Sequence, residues 1–359
     1  MDKKNIILHF KLKPFYTIYI VMKKIIFAFP IFTLLLSACS NELNLVAPAK
    51  EIPIIYGFLS RSDTAQYIRI EKAFIDPSVS ALTLAQDPNQ LYFSDISAEI
   101  QEVGTTKVYP LKRIDGNLEG YKRNTGIFAA SPNYLYKINT SAIDFKENKA
   151  YKLVVKRKDD TVLTEAQAII TPDIQLNEDR TNPTEFSVVS GLFISWLQTN
   201  YQTAKMYDII IYLNVEEREV NSNTWIPRQL SWTIAKSFIP GASDVTPAIN
   251  GVSYRYKESS GFYQFLANNL DKNKPVLRRL RNLDVEIISG GQDLYEYINV
   301  GNINSGITGT EVLPTYTNVK NGYGILSSRN RLLYKGINLG GRSIDSLRNG
   351  KYTKDLKFQ

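Results

Sequence analysis

Two side-chain types that carry much of protein chemistry occur once each in this 359-residue chain: one histidine, His9, and one cysteine, Cys39. From residue 40 onward there is neither imidazole nor thiol. That excludes Ser-His-Asp and Cys-His nucleophilic catalysis there. It also excludes zinc sites built on His and Cys, haem ligation through them, and disulfides. Carboxylates remain. Glycoside hydrolysis needs a pair about 5 to 9.5 Å apart, and Asp208, Glu216 and Glu217 are the candidates on paper. The run Glu216-Glu217-Arg218-Glu219 reads more simply as a solvated strand end. Asp159-Asp160 is better explained as a tight turn than as an acid or metal pair, because Asp favours turns. The expectation is no catalytic residue, no metal and no cofactor.

Cys39 is the residue with chemistry to do. Met22-Lys23-Lys24 precedes an apolar run from Ile25 to Leu36, and Leu36-Ser37-Ala38-Cys39 follows. Basic residues, an apolar segment and small residues before a cut make a secretory signal. A transmembrane helix needs roughly 20 apolar residues, and this run is shorter. Leu36 at −3, Ala38 at −1 and Cys39 at +1 resemble the lipobox of a bacterial lipoprotein signal. In such signals the thiol takes a diacylglyceryl group, the preceding peptide is removed, and the new N-terminus receives a palmitate-type acyl chain. Each buried methylene contributes about 0.8 kcal/mol, so two or three chains anchor a protein stably. Residues 1–21 show no coherent pattern and contain Pro14. They read as an over-extended gene start with Met22 the initiator, leaving 22–38 as signal peptide and 39–50 as a polar tether.

The formal net charge of +8 is set by the leader. Of 43 basic and 35 acidic residues, six basic and one acidic precede Cys39, which leaves +3 from there on. A nucleic-acid binder needs a basic stripe. The densest cluster, Arg278-Arg279-Leu280-Arg281, has Asp271, Asp284 and Glu286 around it and reads as a solvated strand edge, so no nucleic-acid partner is expected. Without disulfides the fold must rest on burial, and 43% hydrophobic residues make that feasible. The 22 Tyr and 16 Phe favour strands.

The elements that must position any site are short strands. Ile52 to Leu59 reads as a buried first strand, and Tyr67-Ile68-Arg69-Ile70-Glu71 alternates like a half-buried one. Asp76 to Gln90 contains Pro77 and Pro88 and reads as a loop with at most one helical turn. Ser97–Val103 and Lys107–Arg113 flank Gly104 as a hairpin, and Tyr134–Asn139 is a further strand. Tyr151, Leu153 and Val155 share a face, turn at 158–161, and return over Val162–Ile170. These predict a β-sandwich over 51–172. Polar Gln175–Thr184 carries the chain onward. Leu192, Ile194 and Trp196 alternate, then Tyr207, Ile209, Ile211 and Leu213. A Trp on one strand and a Tyr on the next resemble the core of a fibronectin type III sandwich, predicted over 173–340. Val220–Ile239 reads as two strands around Asn221-Ser222-Asn223, and Asp244–Tyr256 as loop. Phe262, Phe265, Leu266 and Leu270 follow helical spacing behind Ser259 or Ser260 as cap. Arg279–Ser289 is a strand, Asp293–Val300 a second short helix, and 341–359 a basic tail that frays. The predicted fold class is mainly β: two immunoglobulin/fibronectin-like sandwiches, the second elaborated with one or two short helices. Two domains separating near Pro172 are expected.

In this order the elements resemble a family of Bacteroidota outer-membrane lipoproteins, the domain of unknown function 4249 family. The resemblance is carried by the lipoprotein cysteine, the extended strand Ile52–Leu59, and the hairpin at Tyr151, Leu153 and Val155 that ends in Thr171-Pro172. Ser195-Trp196 and the segment Tyr316-Thr317-Asn318-Val319-Lys320-Asn321-Gly322-Tyr323-Gly324-Ile325 carry it further. It implies an envelope protein with immunoglobulin-like parts beside a TonB-dependent transporter, and it supplies no catalytic residues. In the last segment Asn-Gly marks a tight turn, and Gly322 or Gly324 is expected at positive φ.

Three readings follow. The first is a non-catalytic binding or accessory lipoprotein for nutrient uptake, held by lipid at the outer membrane and facing the cell surface. Ser40 rather than Asp follows the cysteine, so nothing obvious retains it at the inner membrane; Glu42 is the one acidic residue of an export signal. The second is a structural or adhesive surface protein. The third is a carboxylate-dependent glycoside hydrolase. The ligand is not legible.

Overall fold

The computed structural model describes residues 51–73, 79–181, 185, 192–258, 260–303 and 315–359. Cys39, the lipobox residues Leu36, Ser37 and Ala38, the signal and the tether lie outside the described residues.

The first sandwich is built by alternation. One of its sheets carries β1 (Ile52–Leu59), β2 (Ala65–Ala73), β5 (Lys112–Asp115) and β6 (Tyr134–Asn139). The facing sheet carries β3 (Ile96–Glu102), β4 (Val108–Pro110), β7 (Ala150–Arg157), β8 (Val162–Ile169) and β16 (Val319–Lys320). Every second residue of these strands turns inward. Ile55, Leu59, Ile68 and Ile70 meet Ile100, Tyr151, Leu153 and Val155 in one buried cluster. The β3–β4 hairpin forms as expected, with Gly104 at φ +81. The chain then changes sheets at Leu111, whose N–H donates to Ala98 O at 2.9 Å. The stretch read as a loop with at most one turn holds two short helices, Ala81–Ala85 and Pro88–Leu91. Asp87 caps the second by accepting from Asn89 N.

The second sandwich sets β9 (Ile174–Leu176), β10 (Leu192–Gln198), β13 (Val245–Thr246) and β14 (Gly251–Tyr256) against three long strands. These are β11 (Ala204–Glu219), β12 (Ile226–Phe238) and β15 (Val276–Gly291), joined by β17 (Tyr323–Ile337). Trp196 and Tyr207 sit at its centre, both buried, with ring centroids 4.9 Å apart. Helix Gly261–Asn269 closes the core with Phe262 and Leu266. Ser260 is its N-cap residue but makes no side-chain capping bond. Two strand expectations are corrected. Val220–Ile239 holds one strand, β12, rather than two, because β11 runs on to Glu219 and the turn takes 220–225. Asp244–Tyr256 is not loop, because β13 and β14 pair on the edge of β10.

The expected separation near Pro172 is also corrected. The buried clusters do change hands there, Ile170 belonging to the first and Ile174 to the second. Yet one eight-stranded sheet crosses that line in the order β12-β11-β15-β17-β1-β2-β6-β5. The near half of β17, Tyr323–Ser328, pairs in parallel with β1, while Arg329–Ile337 pairs antiparallel with β15. Leu326 therefore serves the first core and Ile337 the second. The linker is held from both sides. Thr171 N donates to Ser328 Oγ at 3.0 Å, Gln198 Nε2 to Pro172 O at 2.8 Å, and Asn330 Nδ2 to Asp173 Oδ1 at 2.7 Å.

The C-terminal residues do not fray either. Gly341–Asn349 is a helix, and Leu347, Leu356 and Phe358 are buried in the second core. Leu356 and Phe358 lie against Arg278, which is fully buried rather than solvated. Its Nε donates to Glu217 Oε1 at 2.9 Å, Nη1 to Leu356 O at 2.9 Å and Nη2 to Asp271 O at 2.8 Å. A buried guanidinium is tolerated because each of its nitrogens meets an acceptor.

Candidate functional site

The inward residues of the eight-stranded sheet build the two cores, so its outward residues are what remains for a ligand. On β11 these are the even positions from Asp208 to Glu216; on β17 they include Arg329 and Arg331; on β1 they are Tyr56 and Phe58. Part of this face is roofed by helix Gln292–Ile303, which turns back directly after β15. Gly290 makes the turn-back possible: a Cβ there would lie 2.8 Å from Leu294 Cδ2 and 3.1 Å from Met206 Cγ. Leu294 N donates to Ser327 Oγ at 3.1 Å, which fixes the helix start to β17.

Two adjoining cavities open beside this roof. The larger, about 430 Å³, lies between the β1–β2 turn and β17 and is lined by Tyr56, Asp63, Tyr67, Tyr121, Arg329 and Arg331. The smaller, about 270 Å³, lies under the helix against Met206, Asp208, Lys236, Ile288, Leu294 and Ile298. Phe58 and Arg329 line both, so the two lie side by side on this face and are together called the groove. Tyr67 and Tyr121 are packed ring against ring at 4.3 Å. Tyr67 Oη donates to Glu119 Oε2 at 2.9 Å. Burial and that carboxylate raise the Tyr67 hydroxyl above its usual pKa. Burial, then the neighbouring Tyr297 hydroxyl, pushes Tyr56 up to about 12, so it stays a neutral donor at any physiological pH.

The two arginines of the groove are paired. Arg329 Nη2 meets Asp63 Oδ2 at 2.8 Å. Arg331 Nε pairs with Glu286, whose other oxygen accepts from Tyr212 Oη. That bond to Glu286, followed by burial, raises the Tyr212 pKa. Asp208 Oδ1 accepts from Ser237 N at 2.7 Å, where β12 bulges and Ser237 takes φ +54.

The carboxylates singled out from sequence do not converge. Asp208 and Glu216 share a face of β11 but are eight residues apart, roughly 26 Å at strand rise. A glycosidase pair needs about 5 to 9.5 Å. Glu217 points the other way, into the buried set with Arg278 and Lys274. Burial works against its charge, but bonds from Lys274 and Arg278 outweigh it and hold its carboxyl below the usual range. Glu216 pairs with Arg279, whose guanidinium lies 4.3 Å from the Trp225 ring centroid. Asp159 accepts from Thr161 N and Oγ1 in the hairpin turn, with Asp160 at φ +63. Among the described residues no group of three His, Cys, Asp or Glu could hold a metal ion. The residues that sequence reading missed are Asp63, Glu286, Arg329, Arg331 and Tyr121. The alternation Arg329-x-Arg331 and Tyr56-x-Phe58 was the available signal, since each pair must share one face of a strand.

Gly322 and Gly324 belong to the seam between the sandwiches rather than to the groove. Gly324 takes φ +100, and a Cβ on it would lie 2.0 Å from Ile55 O. Gly322 is not at positive φ, but a Cβ would lie 2.4 Å from Pro53 O. Asn318 pins the same segment, donating to Leu326 O and accepting from Leu326 N.

No family model and no curated protein matches this chain. Solved structures that align with it include a cytokine receptor complex, at 10% identity over 77% of this chain and 94% of that one, TM-score 0.21. Others are the FN1–FN3 domains of chicken CNTN1, at 9% identity over 68% and 62%, TM-score 0.23. The C-terminal globular domain of oligosaccharyltransferase from Pyrococcus abyssi aligns at 10% identity over 68% and 43%, TM-score 0.24. These overlaps are loose, and the two β-sandwiches stand on the sheet pairings described above.

Proposed function

We propose that this chain is a non-catalytic cell-envelope lipoprotein that holds cargo in the outward groove of its eight-stranded sheet. It serves outer-membrane nutrient uptake next to a TonB-dependent transporter. The observation that carries the reading is Cys39: the one cysteine of the chain stands at the +1 position of a lipobox, and neither imidazole nor thiol follows it. The order of elements that resembles the domain of unknown function 4249 family supports the same compartment. The groove supports the binding role, because Tyr rings provide contact area at low entropic cost, and its Arg329 and Arg331 are already committed to Asp63 and Glu286. The lipid holds the protein on the outer membrane, on the cell-surface face, through the tether at 39–50.

Metabolic labelling with a fatty-acid analogue and fractionation test the anchor. Wild-type protein takes the label and sits in the outer membrane; Cys39→Ser loses both. Unlabelled wild-type protein in the membrane fraction refutes it. Crosslinking in intact cells followed by identification of the captured proteins tests the partner. Recovery from the inner membrane alone, with no transporter crosslinked, refutes that part.

A further inference from the structure

We propose that the groove takes an uncharged oligosaccharide, a deduction that rests on its reading as a cargo site. Charge decides first. The larger cavity holds two cations, Arg329 and Arg331, and the carboxylate Asp63, with Glu286 behind Arg331. Arg329 is bonded to Asp63 and Arg331 to Glu286, so in this cavity neither an anion nor a cation finds an uncompensated partner. Lys236 and Asp208 lie in the smaller cavity and balance in net charge without forming an ion pair.

Shape and surface chemistry decide next. Tyr56 and Tyr121 are 42% and 51% exposed, so part of each is open to a ligand, Tyr121 with Tyr67 packed against its ring. A pyranose presents an apolar C–H face that packs on an aromatic ring, and hydroxyls around its rim. The rim suits the remaining groups. A guanidinium is a planar fork of five donors, and Arg329 commits Nη2 to Asp63 while its side chain stays about half exposed. Asp63 keeps acceptor capacity beside it, and the Tyr56 hydroxyl lies within the same wall. Alternating donors and acceptors read vicinal hydroxyls, which both donate and accept. The 430 Å³ cavity falls within the usual 300–1,000 Å³ of small-ligand sites. The 270 Å³ cavity beside it, across Phe58 and Arg329, gives a chain of sugars a second place to lie. A purely apolar ligand would leave the two ion pairs facing it unsolvated.

The full-length protein, solubilised from membranes in detergent, is titrated calorimetrically. The probes are the neutral hexaoses of α-1,4-glucose, β-1,4-glucose, xylose and mannose, with hexagalacturonate as the anionic one. At least one neutral hexaose binds, and Tyr56→Ala and Tyr121→Ala each weaken it at least tenfold with unchanged melting temperature. No binding of any hexaose, tighter binding of hexagalacturonate, or binding indifferent to both tyrosines overturns the proposal. The same two variants are carried through the crosslinking of intact cells. If sugar binding is absent while Tyr121→Ala still changes the captured proteins, the ligand class fails and the groove stands. If neither assay responds to either tyrosine, the groove fails with it.

Discussion

At Gly324 a left-handed backbone and a backbone collision coincide. This glycine faces Ile55 across the parallel pairing of β1 and β17, the seam through which the first and second sandwiches share a sheet. Gly324→Ala meets two separate costs. An L-residue in the left-handed region costs about 1–2 kcal/mol. The new methyl would also lie 2.0 Å from Ile55 O, 2.9 Å from Ile55 C and 3.1 Å from Ile55 N. These are backbone atoms of a paired strand, so relief requires β1 to move away, at about 1 kcal/mol for each ladder bond lost. The sum expected is about 3–5 kcal/mol. Two other glycines separate the terms. Gly336 has φ +84 and nothing within 4 Å, so Gly336→Ala carries the conformational cost alone, about 1–2 kcal/mol. Gly322→Ala carries the collision alone, with Pro53 O at 2.4 Å. Urea unfolding of the full chain gives the differences from the midpoints at common slope. In thermal melts roughly 2–4 °C per kcal/mol puts Gly324→Ala on the order of 10 °C below wild type. If Gly324→Ala is no worse than Gly336→Ala, the seam does not need glycine for space, and the argument from Ile55 is wrong.

Three further outcomes follow from the same contacts. A fragment beginning at Asp173 does not fold, because the near half of β17 has lost β1 and would expose Ile325 and Leu326; a cooperative melt of that fragment refutes the shared sheet. Removal of residues 351–359 takes away Leu356 and Phe358 and leaves Arg278 Nη1 without its carbonyl, which costs about 3–5 kcal/mol in chemical unfolding by analogy with breaking a buried ion pair; an unchanged midpoint refutes it. Glu217 has a folded-state pKa below its unfolded value, so its stabilisation is complete above the unfolded value and is lost as pH falls through the folded one. Glu217→Gln is therefore less stable near neutrality and flatter on the acid side, as unfolding midpoints measured from pH 7 down to 3 will report; an unchanged acid limb refutes the coupling.

What was legible in the chain was local. The β7–β8 hairpin announced itself through Tyr151, Leu153 and Val155 on one face and Asp159-Asp160 at the turn. Helix Gly261–Asn269 did so through Phe262 and Leu266. What was not legible depended on partners far away in sequence. Leu326 and Ile337 alternate as in any strand, and nothing near them says that one end of β17 serves β1 and the other β15. Arg278 sits in a run of three arginines, which reads as surface. Its burial comes from Glu217 on a neighbouring strand and from the carbonyl of Leu356 near the other end of the chain. Leu347, Leu356 and Phe358 stand too far apart to form a periodic apolar face, and the polar and basic residues around them read as a tail.

The groove was hidden for the same reason in a sharper form. Alternation says that Arg329 and Arg331 share a face, and that Tyr56 and Phe58 share one. It does not say which face of each strand is covered. That is decided only when two facing sheets take the inner side of the eight-stranded sheet and leave the outer side to one short helix. Residues that look like ordinary strand polar positions then become a lining, and their chemistry follows from who stands opposite. Arg329 would attract anions if Asp63 did not hold it, and Glu286 would be an acid in search of a role if Arg331 and Tyr212 did not hold it. The pairing takes away net charge and leaves planar donors, acceptors and open tyrosine rings. The oligosaccharide we propose, with many hydroxyls and no charge, suits such a surface, so the groove's chemistry is a property of its pairs more than of any single residue in it.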